Sequence, residues 1–488
     1  MGYDLGVDLG GTTVVAAVLR DGARRAEAVP LGSDGAIPLP ATAHRGGDGA
    51  VRTGEDAERR AALEPDRVVR DVTSRLGDEV PLVVGGEPWR ADDVAAEIVL
   101  AAVRRVAARE GGAARALAVT HPAGWGPHRE RTLRRALVRV GLGHATLIAE
   151  SRAAALAGAR GTVAGVYDLG GRSFRAAVVR RGPGANEILA DSGAPDRAGG
   201  TDIDAAVLAL VREQLGDGLE SALEDLPDDE ARVGLAALRM SAHAAKEQLS
   251  AETEALVSVA LGALHTTVRI TRADLEARIT PLVAATVESF AGTVDAAGVP
   301  LDDVVLVGGS ARIPLVARLL AEELGRPVHP GTDPVTVVAQ GAALAAAEHA
   351  AARHREAASG PATGGAPVAA AAARAGAAAT ATGAEDPDLD DHRPEPSPDG
   401  FGTVASGRSA TAVLERTRTA NHDVPRPPVA TALAPIGPNV DPGPLRRYRS
   451  WIVAGLAVLV LGAGAATVPI PGLTAARTTD TPAPVPTT

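Results

Sequence analysis

The chain has 488 residues, of which 45% are hydrophobic but only 2% are aromatic, and it contains no cysteine. This length predicts about three domain-sized units with a large aliphatic core, at about 150 residues per domain. The lack of cysteine excludes a disulfide framework, thiolate zinc sites, iron–sulfur clusters and a cysteine nucleophile. A formal net charge of −11 argues against a nucleic-acid-binding protein, because contacts with phosphates need an excess of basic residues.

Residues 1–350 alternate short Val/Leu/Ile-rich runs with Ala/Arg/Glu-rich helical patterns, and glycine pairs separate them. This alternation is typical of a mixed α/β domain or pair of domains. The first twenty residues have no basic segment and no long apolar run, so they do not predict a signal peptide.

Residues 351–445 are rich in Ala, Gly, Pro, Ser and Thr and poor in large apolar residues. Such a segment cannot bury enough surface to offset the entropy lost on ordering, so we expect a disordered linker. Transient helix in the alanine runs is the alternative.

Residues 451–468 form an uncharged apolar stretch. As a helix it would span about 27 Å, close to the ~30 Å of a bilayer core, which predicts a transmembrane helix over residues 450–473. A buried helix of a soluble domain is the alternative. Arg446, Arg447 and Arg449 precede the stretch, and the positive-inside rule then predicts a single-pass cell-membrane protein with a cytoplasmic N-terminal part. Residues 474–488 would be a short external tail.

A carboxylate and a glycine turn lie between two apolar runs near the N-terminus. Asp8 precedes Leu9, and the phosphate-loop candidates Gly10, Gly11, Thr12 and Thr13 follow. Glycines let backbone N–H groups approach phosphate oxygens, and an aspartate at this place can hold hydrated Mg²⁺. An ordinary β-hairpin is the alternative.

The same pattern recurs after a second apolar run, where Asp168 precedes Gly170, Gly171 and Ser173. Two Asp-Leu-Gly-Gly turns in one chain predict two homologous lobes that face each other across a nucleotide. Two carboxylates at one metal–phosphate site would supply the charge neutralisation that phosphoryl transfer requires.

A third glycine turn follows the apolar run at residues 304–307. It contains Gly308, Gly309 and Ser310, and Pro314 then predicts the first turn of a helix. This turn could cradle an adenosine.

In order and spacing, the three turns resemble the ATPase domain of the 70-kDa heat-shock chaperones, within the actin, sugar-kinase and heat-shock ATPase superfamily. The resemblance covers residues 4–347. It implies an α/β fold with two actin-like, duplicated ribonuclease-H-like lobes, followed here by the linker and the transmembrane helix. It also implies ATP or ADP and Mg²⁺ as cofactors.

The resemblance assigns roles to individual residues. Asp8 and Asp168 correspond to magnesium-site carboxylates that act mainly through water, and Glu150 completes the catalytic set. Pro122 corresponds to the proline of an interlobe switch. The implied phosphate-loop positions are Gly10, Gly11, Thr12, Thr13, Gly170, Gly171, Ser173, Gly199 and Gly200. The implied adenosine-pocket positions are Lys246, Ser250, Gly308, Gly309, Ser310 and Arg312.

The chain also departs from this family. The family places a lysine near the terminal phosphate, but residues 69–77 contain none, and Thr73 or Ser74 takes its place. Arg70 and Arg75 are the candidates to replace its charge. These changes favour slow hydrolysis or binding without turnover.

Two further positions differ, since Arg172 replaces a glycine of the second turn and His243 replaces a glutamate. The chain after Ala350 shows no strand pattern that would predict a peptide-binding β-sandwich.

The sequence therefore predicts a membrane-anchored chaperone-type protein that binds Mg-ATP in an interlobe cleft. Slow hydrolysis would drive lobe opening and closing and act on a protein partner at the cytoplasmic face. The alternatives are a nucleotide-sensing membrane scaffold without turnover and a sugar-kinase-like phosphotransferase. No nucleic-acid partner and no zinc site are expected.

Overall fold

The computed structural model describes residues 2–61, 63–182, 186–193, 198–328 and 331–358. The predicted linker at 351–445 lies outside these ranges beyond residue 358, as do the predicted transmembrane helix at 450–473 and the tail at 474–488. Within the described ranges no helix combines the length and the apolar character needed to cross a membrane.

Strands and helices alternate along the chain. The strands are β1 (Tyr3–Leu9), β2 (Thr13–Arg20), β3 (Glu27–Val29), β4 (Leu39–Pro40), β5 (Ala43–Arg45), β6 (Val51–Thr53), β7 (Val68–Val69), β8 (Leu82–Val84), β9 (Glu87–Trp89), β10 (Ala116–His121), β11 (Thr146–Ala149), β12 (Val163–Leu169), β13 (Phe174–Arg180), β14 (Glu187–Gly193), β15 (Glu254–Leu261), β16 (Leu264–Thr271) and β17 (Asp303–Val307). The helices are α1 (Glu55–Ala61), α2 (Ala91–Glu110), α3 (Pro127–Arg139), α4 (Glu150–Gly158), α5 (Gly200–Leu215), α6 (Asp217–Glu224), α7 (Asp228–Ala251), α8 (Arg272–Ala297), α9 (Pro314–Leu324) and α10 (Val337–Ala358).

The first lobe is built on a sheet with the order β11-β10-β1-β2-β3. β1 and β2 form an antiparallel hairpin, and β10 runs parallel to β1. Leu5 and Val7 pack in one core cluster with α2 and α3, whereas Val15 and Ala17 pack against α10 on the other face. Burial on both faces explains why these strands are continuous apolar runs.

The second lobe repeats this arrangement with the order β14-β13-β12-β17. β12 and β13 form the hairpin, and β17 runs parallel to β12. Tyr167 and Phe174 face helices α5, α7 and α8, while Val166 and Val305 pack against α4. The mixed α/β prediction is confirmed, and the two sheets share the strand order that two homologous lobes require.

Helices α4 and α10 cross at the centre of this arrangement. A Cβ atom added at Gly341 would collide with the carbonyl oxygen of Ala153, and one added at Gly6 would collide with the backbone of α10 at Ala343. Glycine is therefore needed at both positions for the backbones to approach. Helix α10 ends at Ala358, beyond residue 350 where the composition begins to change.

Smaller elements extend each lobe. Strands β5, β6 and β7 form a small sheet beside the first lobe, and a 3-10 turn at Val72–Arg75 follows β7. In the second lobe, β15 alternates exposed and buried residues along its length and pairs with β16. This alternation is the pattern of a sheet with one solvent-facing side.

Candidate functional site

The first two glycine turns close in the same way. The Gly10 amide donates to the carbonyl oxygen of Thr13 at 3.0 Å, and the Gly170 amide donates to that of Ser173 at the same distance. The predicted hairpins are thus both present. In each lobe the aspartate, Asp8 or Asp168, is the second-last residue of the strand that enters the turn.

The two turns face each other across the lobes. A Cβ atom added at Gly171 would lie 2.5 Å from Thr12 Oγ1, so the second turn lies directly against the first. A Cβ atom added at Gly11 would lie 3.2 Å from Asp71 Oδ1 and 3.4 Å from Thr73 Oγ1. The structure thus brings the two predicted phosphate loops and the 3-10 turn after β7 to one place.

The start of α5 joins the second turn. The amides of Gly200 and Thr201 donate to the carbonyl oxygens of Gly170 and Gly171 at 3.0 and 2.7 Å. A Cβ atom added at Gly199 would lie 2.5 Å from the backbone of Arg172. The predicted positions Gly199 and Gly200 are therefore held against the second phosphate loop.

The third turn reaches the same place from β17. Gly308 adopts a φ of 87°, a backbone conformation that residues with a side chain rarely adopt. Ser310 Oγ donates to the Gly170 carbonyl at 3.1 Å. Gly309 opens the 3-10 turn Gly309–Arg312, and α9 begins at Pro314 as expected.

Lys246 lies beside these turns. It is buried, and its Nζ is 2.9 Å from Asp204 Oδ1 and donates to the Gly200 carbonyl at 3.2 Å. His243 lies one helical turn earlier, and hydrogen bonds to Asp204 and Glu247 raise its pKa to about 9. The predicted adenosine pocket therefore contains two cations, Lys246 and His243, whose charges are offset by the carboxylates of Asp204 and Glu247.

Two predicted adenosine-pocket residues form hydrogen bonds with other residues of the protein. Ser250 Oγ donates to the Lys246 carbonyl at 3.3 Å within α7. The Arg312 guanidinium donates to Asp333 Oδ1 at 2.6 Å from Nη2 and 3.0 Å from Nε. Stacking of Arg312 on a base would therefore compete with this ion pair, and its predicted role stays a prediction.

The three predicted catalytic carboxylates repel one another, and of these Glu150 is buried whereas Asp8 and Asp168 are partly buried. Burial is the main cause that raises the pKa of Asp8 to about 7, with Asp168 adding to it. Burial likewise raises the pKa of Glu150 to about 8 and that of Asp168 to about 6. Thr120 Oγ1 donates to Asp8 Oδ1 at 2.6 Å and acts in the opposite direction.

Arg175 is the cation of this cluster, and the sequence interpretation missed it. It lies opposite Asp168 in the β12–β13 hairpin, and its Nη1 donates to Glu150 Oε2 at 3.3 Å. Its charge lowers the pKa of Asp8, Glu150 and Asp168 relative to burial alone. The register of the hairpin was a usable signal, since a turn between Leu169 and Phe174 places residue 175 opposite residue 168.

A cavity of about 320 Å³ opens beside the carboxylates. Glu150, Asp168 and Arg175 line it together with Pro122 and Trp125 from the loop after β10. Water and a hydrated ion can therefore reach the acidic cluster, and the predicted switch residue Pro122 borders the same space.

The donor set suits a hard divalent cation. Three carboxylates face one arginine, which leaves two uncompensated negative charges when all four groups are ionised. Oxygen donors are those that Mg²⁺ prefers, and Mg²⁺ commonly keeps several waters. Within the described ranges, however, no group of three or more His, Cys, Asp or Glu side chains forms a ready ligand cluster for a metal ion.

The two arginines expected to replace the missing lysine are bound elsewhere. Arg70 donates to both carboxylate oxygens of Glu58, at 2.9 Å from Nε and 2.5 Å from Nη2. Arg75 Nε donates to Asp78 Oδ2 at 2.5 Å. Thr73, by contrast, is buried against the first phosphate loop.

The fold and the site together define a class of protein. Two α/β lobes with one strand order present facing glycine turns, and an acidic cluster lies where the lobes meet. Comparison with known proteins gives the family. The profile described as Hsp70 protein matches residues 78–357, more than half of the chain, and the chain belongs to this family.

Curated relatives agree with this assignment. The chaperone protein HscA homolog of Pseudomonas putida is 34% identical in an alignment of 374 positions that covers 70% of this chain and 57% of that protein. The chaperone protein DnaK of Thermosipho africanus is 28% identical over 71% of this chain and 59% of its own length. DnaK of Methanothermobacter thermautotrophicus is 29% identical, with 70% and 59% covered. The chain thus matches less than two thirds of the length of these relatives.

Proposed function

We propose that the chain binds Mg-ATP between its two lobes and hydrolyses it slowly. The observation that carries this proposal is the meeting of two glycine turns, one from each lobe, beside a partly buried cluster of three carboxylates and one arginine. Such turns offer amide donors to phosphate oxygens, and the acidic cluster offers a place for the accompanying cation. Membership of the Hsp70 family supports the same function.

The residues of the site would have different roles in binding and hydrolysis. Asp8 and Asp168 would hold the metal, mainly through water, and Glu150 would complete the network that orients the attacking water. A bound divalent cation supplies charge neutralisation for the phosphate oxygens. Amides of the two turns would stabilise the charge on the transferring group, and Arg175 keeps the pKa values of the carboxylates from rising further.

The crossed helices α4 and α10 suggest how nucleotide state could reach the rest of the molecule. α4 begins at Glu150 in the acidic cluster and packs against both the second sheet and α10. A change in the distance between the turns would therefore move two rigid lobes about this crossing. We propose that a protein partner at the cytoplasmic face reads this movement, and that residues 450–473 anchor the chain in the cell membrane.

The same geometry supports a second candidate, a nucleotide-sensing membrane scaffold without turnover. The segment at Val72–Arg75 presents Thr73 to the first turn, where the resemblance implies a lysine, and Asp71 adds a carboxylate beside Gly11. A neutral hydroxyl and a negative charge stabilise a transferring phosphoryl group less than an ammonium does. The missing lysine would then weaken nucleotide binding less than it slows hydrolysis.

Single-turnover hydrolysis measured beside ATP affinity on the full-length chain separates these functions. Phosphate release that Asp168→Asn abolishes supports the ATPase, with exposed Asp225→Asn as the matched control. Tight binding without product over hours favours the scaffold. Transfer of the label to a sugar in a hexose panel would establish the kinase alternative, and no binding of ATP or ADP would refute all three.

A further inference from the structure

Arg172 lies where the second phosphate loop meets the first lobe. It belongs to the second phosphate loop, and its Nε lies 3.8 Å from Oδ2 of Asp71, which belongs to the first lobe. This distance is too long for a hydrogen bond, and both side chains are partly exposed, at 41% and 29%. The pair is therefore a loose electrostatic contact between the lobes.

Asp71 is held in an unusual conformation. Its φ is 54°, and it is the one non-glycine residue with a positive φ in the part of the chain that the structure describes. Such a backbone costs about 1 kcal/mol or more and persists only where its surroundings impose it. Here it places the Asp71 carboxylate against Gly11 of the first phosphate loop.

Other arginines around the turns are engaged by shorter contacts. Arg70 binds Glu58, Arg75 binds Asp78, and Arg175 binds Glu150 at 3.3 Å. Among the described residues, Arg172 makes no hydrogen bond through its side chain. Of these four arginines it has the longest ion-pair distance, so we expect the exchange of its partner to cost least.

We propose that Arg172 is the residue that senses the terminal phosphate of the bound nucleotide, and that Asp71 competes with this phosphate for it. The inference rests on the proposed function, since it takes the nucleotide to lie between the turns. Arg172 interacts with Asp71 across the cleft. When a third phosphate enters, the guanidinium turns to it, because the planar fork of arginine matches phosphate oxygens in a bidentate way.

The competition gives the pair a specific consequence. ATP carries a phosphate that ADP lacks, so Arg172 contributes to the affinity for ATP more than to that for ADP. Asp71 lowers ATP affinity in two ways, because it holds Arg172 and because its own charge repels phosphate. The pair therefore sets the ratio of ATP to ADP affinity without taking part in metal binding.

The test is a titration of the full-length chain with ATP and with ADP, each in excess Mg²⁺, for the wild type and four variants. We expect Arg172→Gln to lower ATP affinity about tenfold and ADP affinity less than about twofold. Arg172→Lys should recover part of the loss. Asp71→Asn should raise ATP affinity about threefold, and Arg269→Gln, a loss of charge in the exposed ion pair with Glu254, should leave the ratio unchanged.

The double variant Asp71→Asn with Arg172→Gln decides whether the two residues act as a pair. Its ATP affinity should equal that of Arg172→Gln within about twofold, because Asp71 has less to compete for once Arg172 is gone. An unchanged ATP-to-ADP ratio in Arg172→Gln would overturn the proposal while the proposed function stood. Failure of the wild type to bind either nucleotide would overturn both.

Discussion

The two Asp-Leu-Gly-Gly turns share one motif but hold their aspartates differently. In the first lobe Asp8 lies opposite Val15 in the hairpin and accepts a hydrogen bond from Thr120 on the parallel strand β10. In the second lobe Asp168 lies opposite Arg175 in the hairpin, and its partner on the parallel strand β17 is the apolar Val307. The neighbour of Asp8 that differs is therefore the hydrogen-bond donor Thr120 on the parallel strand. The neighbour of Asp168 that differs is the cation Arg175 on the hairpin strand.

This difference shows that the motif fixes where the carboxylate lies but not its charge state. Thr120 is a neutral donor, so Asp8 keeps its full charge when ionised. Arg175 offsets part of the charge of Asp168 and also reaches Glu150. When a bound cation keeps both aspartates ionised, we therefore expect the first lobe to contribute more of the attraction for that cation, and the second lobe to contribute more of the stability of the chain without metal.

The largest expected effect is loss of the aspartates themselves. Mg²⁺ should increase the ATP affinity of the wild type, and Asp8→Asn should reduce this increase by a factor of at least about ten, or about 1.4 kcal/mol. Asp168→Asn should lower it by a smaller factor, because Arg175 already offsets part of this charge. Calorimetric titration with and without Mg²⁺ measures both, and a larger loss in Asp168→Asn would reverse the comparison.

Removal of Arg175 should destabilise the chain more without the metal than with it. Arg175→Gln should lower the free energy of unfolding by about 1–2 kcal/mol without Mg²⁺, because Glu150 and Asp168 lose their cation, with partial exposure of the arginine limiting the cost. Excess Mg²⁺ should restore most of this loss. Urea unfolding with and without Mg²⁺ measures the free energy of unfolding in both conditions. An equal loss of this free energy in the two conditions would show that Arg175 acts only as a packing residue.

Loss of the hydrogen bond in the first lobe should cost less. Thr120→Val keeps the shape of the side chain and removes the donor to Asp8, at about 1 kcal/mol of unfolding free energy. Thr132→Val, at a buried threonine of α3, is the matched control. If both variants lose the same stability in urea, the Thr120 hydroxyl has no special role.

The smallest expected effect lies at the nucleoside end of the site. The pKa of His243 is raised to about 9, mainly by the hydrogen bond with Asp204, so its stabilisation is complete below about pH 6.5 and is lost as the pH rises through 9. His243→Gln should remove this part of the decline in melting temperature between pH 6.5 and 9. The change should be small, because the side chain is half exposed. An unaltered decline in the variant would show that His243 does not bind its proton more tightly on folding.

Local features of this site could be predicted from the sequence, whereas contacts between distant segments could not. The two hairpins, their glycine turns and the helix start at Pro314 follow from residues that are neighbours in the chain. Arg175 was also accessible, since the hairpin register alone places it opposite Asp168. These positions depend only on short-range geometry.

The remaining contacts depend on tertiary packing. The bond from Thr120 to Asp8 joins residues 112 positions apart, and the approach of Arg172 to Asp71 requires the two lobes to be placed relative to each other. The ion pair of Arg312 with Asp333, 21 positions apart, and the crossing of α4 and α10 at Gly341 belong to the same class. Periodicity within one segment carries no information on such pairs.

The central claim is that the facing turns and the acidic cluster form one Mg²⁺-dependent nucleotide site. The most direct measurement is the affinity of the full-length chain for ATP in excess Mg²⁺ and in EDTA. We expect at least about tenfold tighter binding with Mg²⁺, because the cation offsets the negative charge of both the carboxylates and the phosphates, which otherwise repel each other. Equal affinity in the two conditions would contradict it.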